Sequence, residues 1–163
     1  MPKRRKKKIV RLIHQSVGPL PLRLAAPYAD HLLVFSDASQ KRHGGLAAVL
    51  FATPDSEPLV STRTVPIIGS NELELQAALF ALGQARQHFP GRLLTLFSDN
   101  QDAVIRLLRS QEKGSAQDPE LLQMLTEQGV ADTLEKATIR WIKGHSTCRG
   151  NTLADQHAAQ AAS

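Results

Sequence analysis

Apolar positions cluster into short runs separated by polar punctuation, and the spacing of those runs predicts the elements. His31-Leu32-Leu33-Val34-Phe35-Ser36 is compact enough for a strand over 31–36. The polar stretch "SDASQKRHGG" then predicts a turn, with Asp37 at the end of the strand. Leu46 to Phe51 forms a second strand, Pro54-Asp55 turns the chain, and 58–66 alternates as a third. Connections this short imply antiparallel neighbours. The period changes to a helical one over 71–88, where Leu75, Leu79 and Leu82 form a stripe beside Ala77, Ala78, Ala81 and Ala85. After Pro90-Gly91, "RLLTLF" at 92–97 is a fourth strand. Helices follow at 100–110 and 118–128, a fifth strand at 137–142 and an alanine-rich helix at 151–162. Helices alternating with late strands require crossovers and hence parallel pairing. The expected architecture is α/β: one mixed sheet with helices on its faces.

Charge alters the picture at one end only. The chain has 163 residues, 42% of them hydrophobic, enough for one domain with a real core. Its formal charge is +5, yet seven of the 20 Lys+Arg lie in the first eleven residues: Lys3, Arg4, Arg5, Lys6, Lys7, Lys8 and Arg11. From residue 12 onward, 13 basic residues face 15 acidic ones, so the body is formally −2. Such a tail attracts polyanions, and "PKRRKKK" also has the form of a nuclear import address. Gly18, Pro19, Pro21 and Pro27 mark 16–30 as a linker, so the domain organisation reads as a flexible basic tail and linker over 1–30 and a folded domain over 31–163. No apolar run approaches the roughly 20 residues of a membrane helix, so no membrane partner is expected. The single cysteine, Cys148, excludes an internal disulfide and suits a reducing compartment. A cytoplasmic location is expected, or a nuclear one in a eukaryote.

Four acids stand at element ends. Asp37 closes the first strand and Asp99 the fourth, where ligand sites of open α/β sheets collect. Glu74 begins the long helix on its alanine face, and Asp155 lies among alanines in the last helix. Each also has a local reading: an Asx-turn for Asp37, a helix cap for Asp99, a capping box with Asn71 for Glu74, and a solvated helix surface for Asp155. Converging carboxylates repel and would protonate unless a cation held them. Oxygen ligands of this type suit Mg²⁺, with Mn²⁺ as a substitute.

The ordered blocks "VFSDAS" with "GGLAAVLF", "SNELELQAALFAL", "LFSDNQ" and "WIKGHSTCRGNTLADQHA" resemble ribonuclease H of type 1, from about residue 31 to 162. The resemblance implies a ribonuclease H-like five-stranded mixed sheet with helices on both faces. It implies hydrolysis of the RNA strand of an RNA–DNA hybrid with two metal ions, by a monomer. It carries the metal carboxylates onto Asp37, Glu74, Asp99 and Asp155, and the mobile catalytic histidine onto His145. Asn71 and Asn151 fall where the family meets nucleic acid, and Ser39, Asn100 and Lys143 are further candidate contacts beside Lys3, Arg4, Arg5, Lys6, Lys7 and Lys8.

The chain departs from the family pattern, among other places in the turn "QKRHGG", which stands where bacterial members have a glycine-rich one. Ala38 replaces the usual glycine after the first aspartate, and the basic, tryptophan-bearing protrusion is absent between 111 and 120, which leaves the tail to grip substrate. His43, His88 and His157 have no block to support them, Cys148 has no activating neighbour in sequence, and Trp141 is expected in the core. Two rivals remain: a non-catalytic nucleic-acid-binding module, and another phosphodiesterase on this fold, such as a double-stranded RNA nuclease or an exonuclease.

Overall fold

The computed structural model describes residues 18–144 and 148–163. A five-stranded sheet runs in the order β3-β2-β1-β4-β5, with β1 Leu32–Gln40, β2 Gly44–Phe51, β3 Leu59–Val65, β4 Leu94–Ser98 and β5 Thr138–Trp141. β1, β2 and β3 form an antiparallel meander, while β4 and β5 join β1 in parallel. The helices are α1 Leu22–Ala25, α2 Ser70–His88, α3 Gln101–Lys113, α4 Pro119–Gln128, α5 Ala131–Lys136 and α6 Arg149–Ala161. Of these, α1 and the six-residue α5 had no periodic signal long enough to read.

The strand period divides the core in two. Leu32 and Val34 face a layer built from α2, α3, α4 and α5, whereas Leu33 and Phe35 face α6. All eight residues of β2 are buried, because the strand is covered on both faces. The alanine face of α2 is fully buried, and its short side chains let the helix lie close to the sheet.

Four expectations need correcting. β1 runs to Gln40, so Asp37 lies inside the strand, paired with Ala47. What ends near Asp37 is the pairing with β4, which stops at Phe35–Phe97. The glycine pair of "QKRHGG" lies in β2, and Lys41-Arg42-His43 makes the turn. A Cβ on Gly45 would lie 2.1 Å from the Ala158 carbonyl oxygen, so this glycine allows α6 to rest on the strand.

Trp141 is 46% exposed rather than in the core, because it sits at the end of the edge strand β5. The fourth correction concerns the linker. The 18–30 segment touches the domain through Leu20, Ala25 and Tyr28, with α1 followed by a 3₁₀ turn at Ala26–Tyr28; Leu20 is only 3% exposed, whereas Leu22 is 94% exposed. Leu20, between Pro19 and Pro21, anchors the segment despite its weak propensity. The basic residues Lys3 to Arg11 lie outside the described residues. Among the described residues, no helix is long and apolar enough to cross a membrane.

Candidate metal centre

The site forms where β1 and β4 part. The chain leaves β1 toward β2 and β3, crosses over through α2, and returns as β4 on the other side of β1, so a crevice opens at this switch point. Asp37 projects from β1, Asp99 follows the last residue of β4, and Glu74 stands in the second turn of α2. One carboxylate oxygen from each of the three lies within 4.8 Å of the others. Asp155, in α6, is exposed and outside that group, yet it lines the same cleft with Ala38, Asn151 and Thr152.

The local alternatives for Asp37, Glu74 and Asp99 fall away in turn, whereas Asp155 does lie on a solvated helix surface. Asn100 caps α3, its side-chain oxygen accepting from the Ala103 N–H at 2.8 Å, which frees Asp99 of that role. The N-cap of α2 is Gly69, with φ 111° and no side-chain cap, so Asn71 and Glu74 form no capping box. Asp37 lies in extended strand and accepts the Ala38 N–H at 2.9 Å.

Electrostatics show the cost of the arrangement. Asp37 is 3% exposed, and burial, followed by the Asp99 charge and more weakly the Asp155 charge, pushes its carboxyl up to about 7. Burial and then the Asp37 charge push Glu74 up to about 10. Glu74 Oε2 is buried without a hydrogen-bond partner. A buried orphan acceptor beside two more carboxylates fits a hard divalent cation, since oxygen donors of this kind are what Mg²⁺ or Mn²⁺ takes.

Around the acids, the Trp141 indole N–H donates to the Asp99 carbonyl at 3.1 Å. A Cβ on Gly144 would lie 3.3 Å from Asp99 Oδ2, so the chain after β5 passes close to the carboxylate. Asn151 is 4% exposed and lines the cleft. Thr152 was not singled out, although its place three residues before Asp155 puts it on the same helical face. Asn71, at the start of α2, and Lys143, after β5, are exposed. Ser39 is half-buried in β1, paired with Gly45. His145 and the basic residues Lys3, Arg4, Arg5, Lys6, Lys7 and Lys8 fall outside the described residues.

Solved structures share this architecture. The N-terminal RNase H domain of rv2228c from Mycobacterium tuberculosis superposes with a TM-score of 0.62 at 17% identity, over 81% of this chain and 93% of that one. RNase H1 from the halophilic archaeon Halobacterium salinarum gives 0.57 at 19%, over 80% and 96%. LC11-RNase H1, solved in complex with an RNA/DNA hybrid, gives 0.59 at 13%, over 81% and 99%. No curated protein matches the sequence. The RNase H family model matches residues 29–163, the whole of the sheet and every helix from α2 to α6. With that match on a mixed sheet carrying a carboxylate cluster at its switch point, the chain belongs to the RNase H family and is an enzyme of the ribonuclease H class.

Proposed function

We propose that this enzyme hydrolyses the RNA strand of RNA–DNA hybrids with divalent metal ions, Mg²⁺ in the first instance, held by Asp37, Glu74 and Asp99 with Asp155 at the rim. The observation that carries the reading is the approach of three carboxylates within 4.8 Å at the point where β1 and β4 separate. A module that only bound a polyanion would be weakened by acids placed there. The RNase H1 neighbour bound to an RNA/DNA hybrid supports the choice of substrate.

Divalent ions bound there supply Lewis-acid activation of the scissile phosphate and of the attacking water, in a two-metal scheme when both are present. The protein's own groups do the rest. Asp37, the most buried of the three acids, would hold a cation together with Glu74 and Asp99. Asn151 and Thr152 present polar groups to the cleft beside the acids, in position to orient the RNA backbone. Asn71 and Lys143 are exposed polar groups on elements adjoining it. His145 moves a proton during product release. The basic run at residues 3–11 supplies the long-range attraction that a body of formal charge −2 lacks.

A strand-labelled hybrid, an RNA duplex and single strands, each incubated with Mg²⁺ and with chelator, test this directly. Mg²⁺-dependent cuts confined to the RNA of the hybrid are expected. Cleavage in chelator would refute the metal reading, and a preference for duplex RNA would replace the substrate.

A further inference from the structure

Helix α6 carries Asn151 and Asp155 into the cleft, and its first turn is held in part from outside the helix. Its N-cap residue is Cys148. One acceptor for this end arrives from about 130 positions earlier in the chain. The Pro19 carbonyl accepts the Gly150 N–H at 3.1 Å and the Cys148 thiol at 3.1 Å. Beside it, Leu20 is buried in one cluster with Phe35, Phe51, Cys148 and Ala154.

The other side of the helix end is equally fixed. A Cβ on Gly150 would lie 2.3 Å from the Phe35 ring, so the first turn of α6 rests directly on that aromatic, two residues before Asp37. The first turn is thus wedged between Phe35 below and Pro19 outside. Further along, Tyr28 sets its ring edge-on to Phe97 at 5.3 Å and accepts from Arg140 Nε at 3.3 Å, which ties the segment to β4 and β5.

We propose that residues 18–28 are a positioning strap of the active site: the Pro19 carbonyl, seated by Leu20, caps α6 from outside and holds Asn151 and Asp155 toward Asp37. This rests on the carboxylate cluster being the metal centre. The strap's hydrogen bonds reach α6 and β5, so it acts on the site through α6. A helix end that loses its cap frays within its first turn, and in this helix that turn holds Asn151, with Asp155 just beyond it. The charge of Asp155 already reaches Asp37, so a shift of the helix end is felt at the centre.

The experiment uses the full chain with Leu20→Asp, which expels the strap from its pocket, and Leu20→Ala as a milder variant should the first fail to fold. Leu134→Ala, in the core of the opposite face, serves as a control that lowers stability without touching α6. Two quantities are read well below the melting temperature: amide hydrogen exchange over residues 149–155, and Mn²⁺ affinity by calorimetry. Releasing the strap should speed exchange in the first turns of α6 by about tenfold. It should weaken Mn²⁺ binding by roughly 10-fold, the scale on which outer partners act on metal sites. The control should change neither. Cys148→Ser, which keeps a donor for Pro19, should behave as wild type in exchange. Strap variants with wild-type α6 exchange and Mn²⁺ affinity overturn the proposal, as does a control that reproduces both losses. If wild-type protein takes up no Mn²⁺, the metal reading fails, and the exchange data alone decide the strap.

Discussion

Without metal, this protein should lose stability as pH rises from acid toward neutrality. The cause is the buried carboxylate cluster. Asp37 releases its proton near 3.8 when unfolded but only at about 7 in the native cleft, because burial and the Asp99 charge disfavour its ionised form. Between those values the folded state holds a proton that the unfolded state has lost, so stability falls with rising pH. The contribution is fully present below the unfolded value and is gone above the native one. A displacement of about three pH units corresponds to about 4 kcal/mol in total at 1.36 kcal/mol per unit.

About 2 kcal/mol of that is lost between pH 5 and 7, where the unfolded carboxyl is already ionised. For a chain of this length the melting temperature should drop by roughly 4 to 8 °C over that interval. Glu74, raised to about 10, extends the decline beyond neutrality. The assay is thermal unfolding in chelator from pH 4 to 9, for wild type and Asp37→Asn. The amide mimics the protonated acid, so the difference between the two isolates Asp37 and cancels histidines titrating elsewhere. Asp37→Asn should be the more stable protein at pH 8 without metal. Saturating Mg²⁺ should cancel the decline, since a bound cation favours the ionised cluster. A wild-type midpoint that stays level or rises relative to Asp37→Asn from pH 5 to 7 would refute the reasoning.

Three further outcomes concern turnover. Asp37→Asn, Glu74→Gln and Asp99→Asn should each remove most hybrid cleavage while leaving the circular dichroism spectrum unchanged; full activity in any one contradicts the metal centre. His145→Ala should slow turnover by no more than the roughly 10² to 10⁴-fold of a proton-transfer group, and each carboxylate substitution should cost more than it does; a wild-type rate across pH would remove the histidine from the mechanism. Deleting residues 1–11 should weaken hybrid binding and flatten log affinity against log salt by about 0.7 to 0.9 for each phosphate that the tail neutralises. Saturated kcat should hold, because the tail binds ground and transition states alike; an unchanged salt slope would assign the basic run to another partner.

Sequence alone determined much of this protein because its signals are local. The unbroken apolar run Leu32-Leu33-Val34-Phe35 specifies a strand covered on both faces, and the alanines of α2 specify a helix lying close to a sheet. Asp37, Glu74 and Asp99 were legible as a set because each stands in its own block near an element boundary. Folding decided what depends on distant neighbours. Asp37 proved to lie within a strand, since a strand's length on one side and its pairing on the other end at different residues.

Trp141 has an apolar strand context, but only the sheet order shows that its strand is an edge. Gly45 looks like a turn glycine until α6 is seen resting on it. Pro19 and Leu20 read as linker because proline-rich segments have no period, and their role emerges only when the first turn of α6 comes to lie against them. Propensity and periodicity act over a few residues. Caps, wedges and the convergence of charges depend on segments that the chain brings together across more than a hundred positions, and no local pattern encodes that meeting.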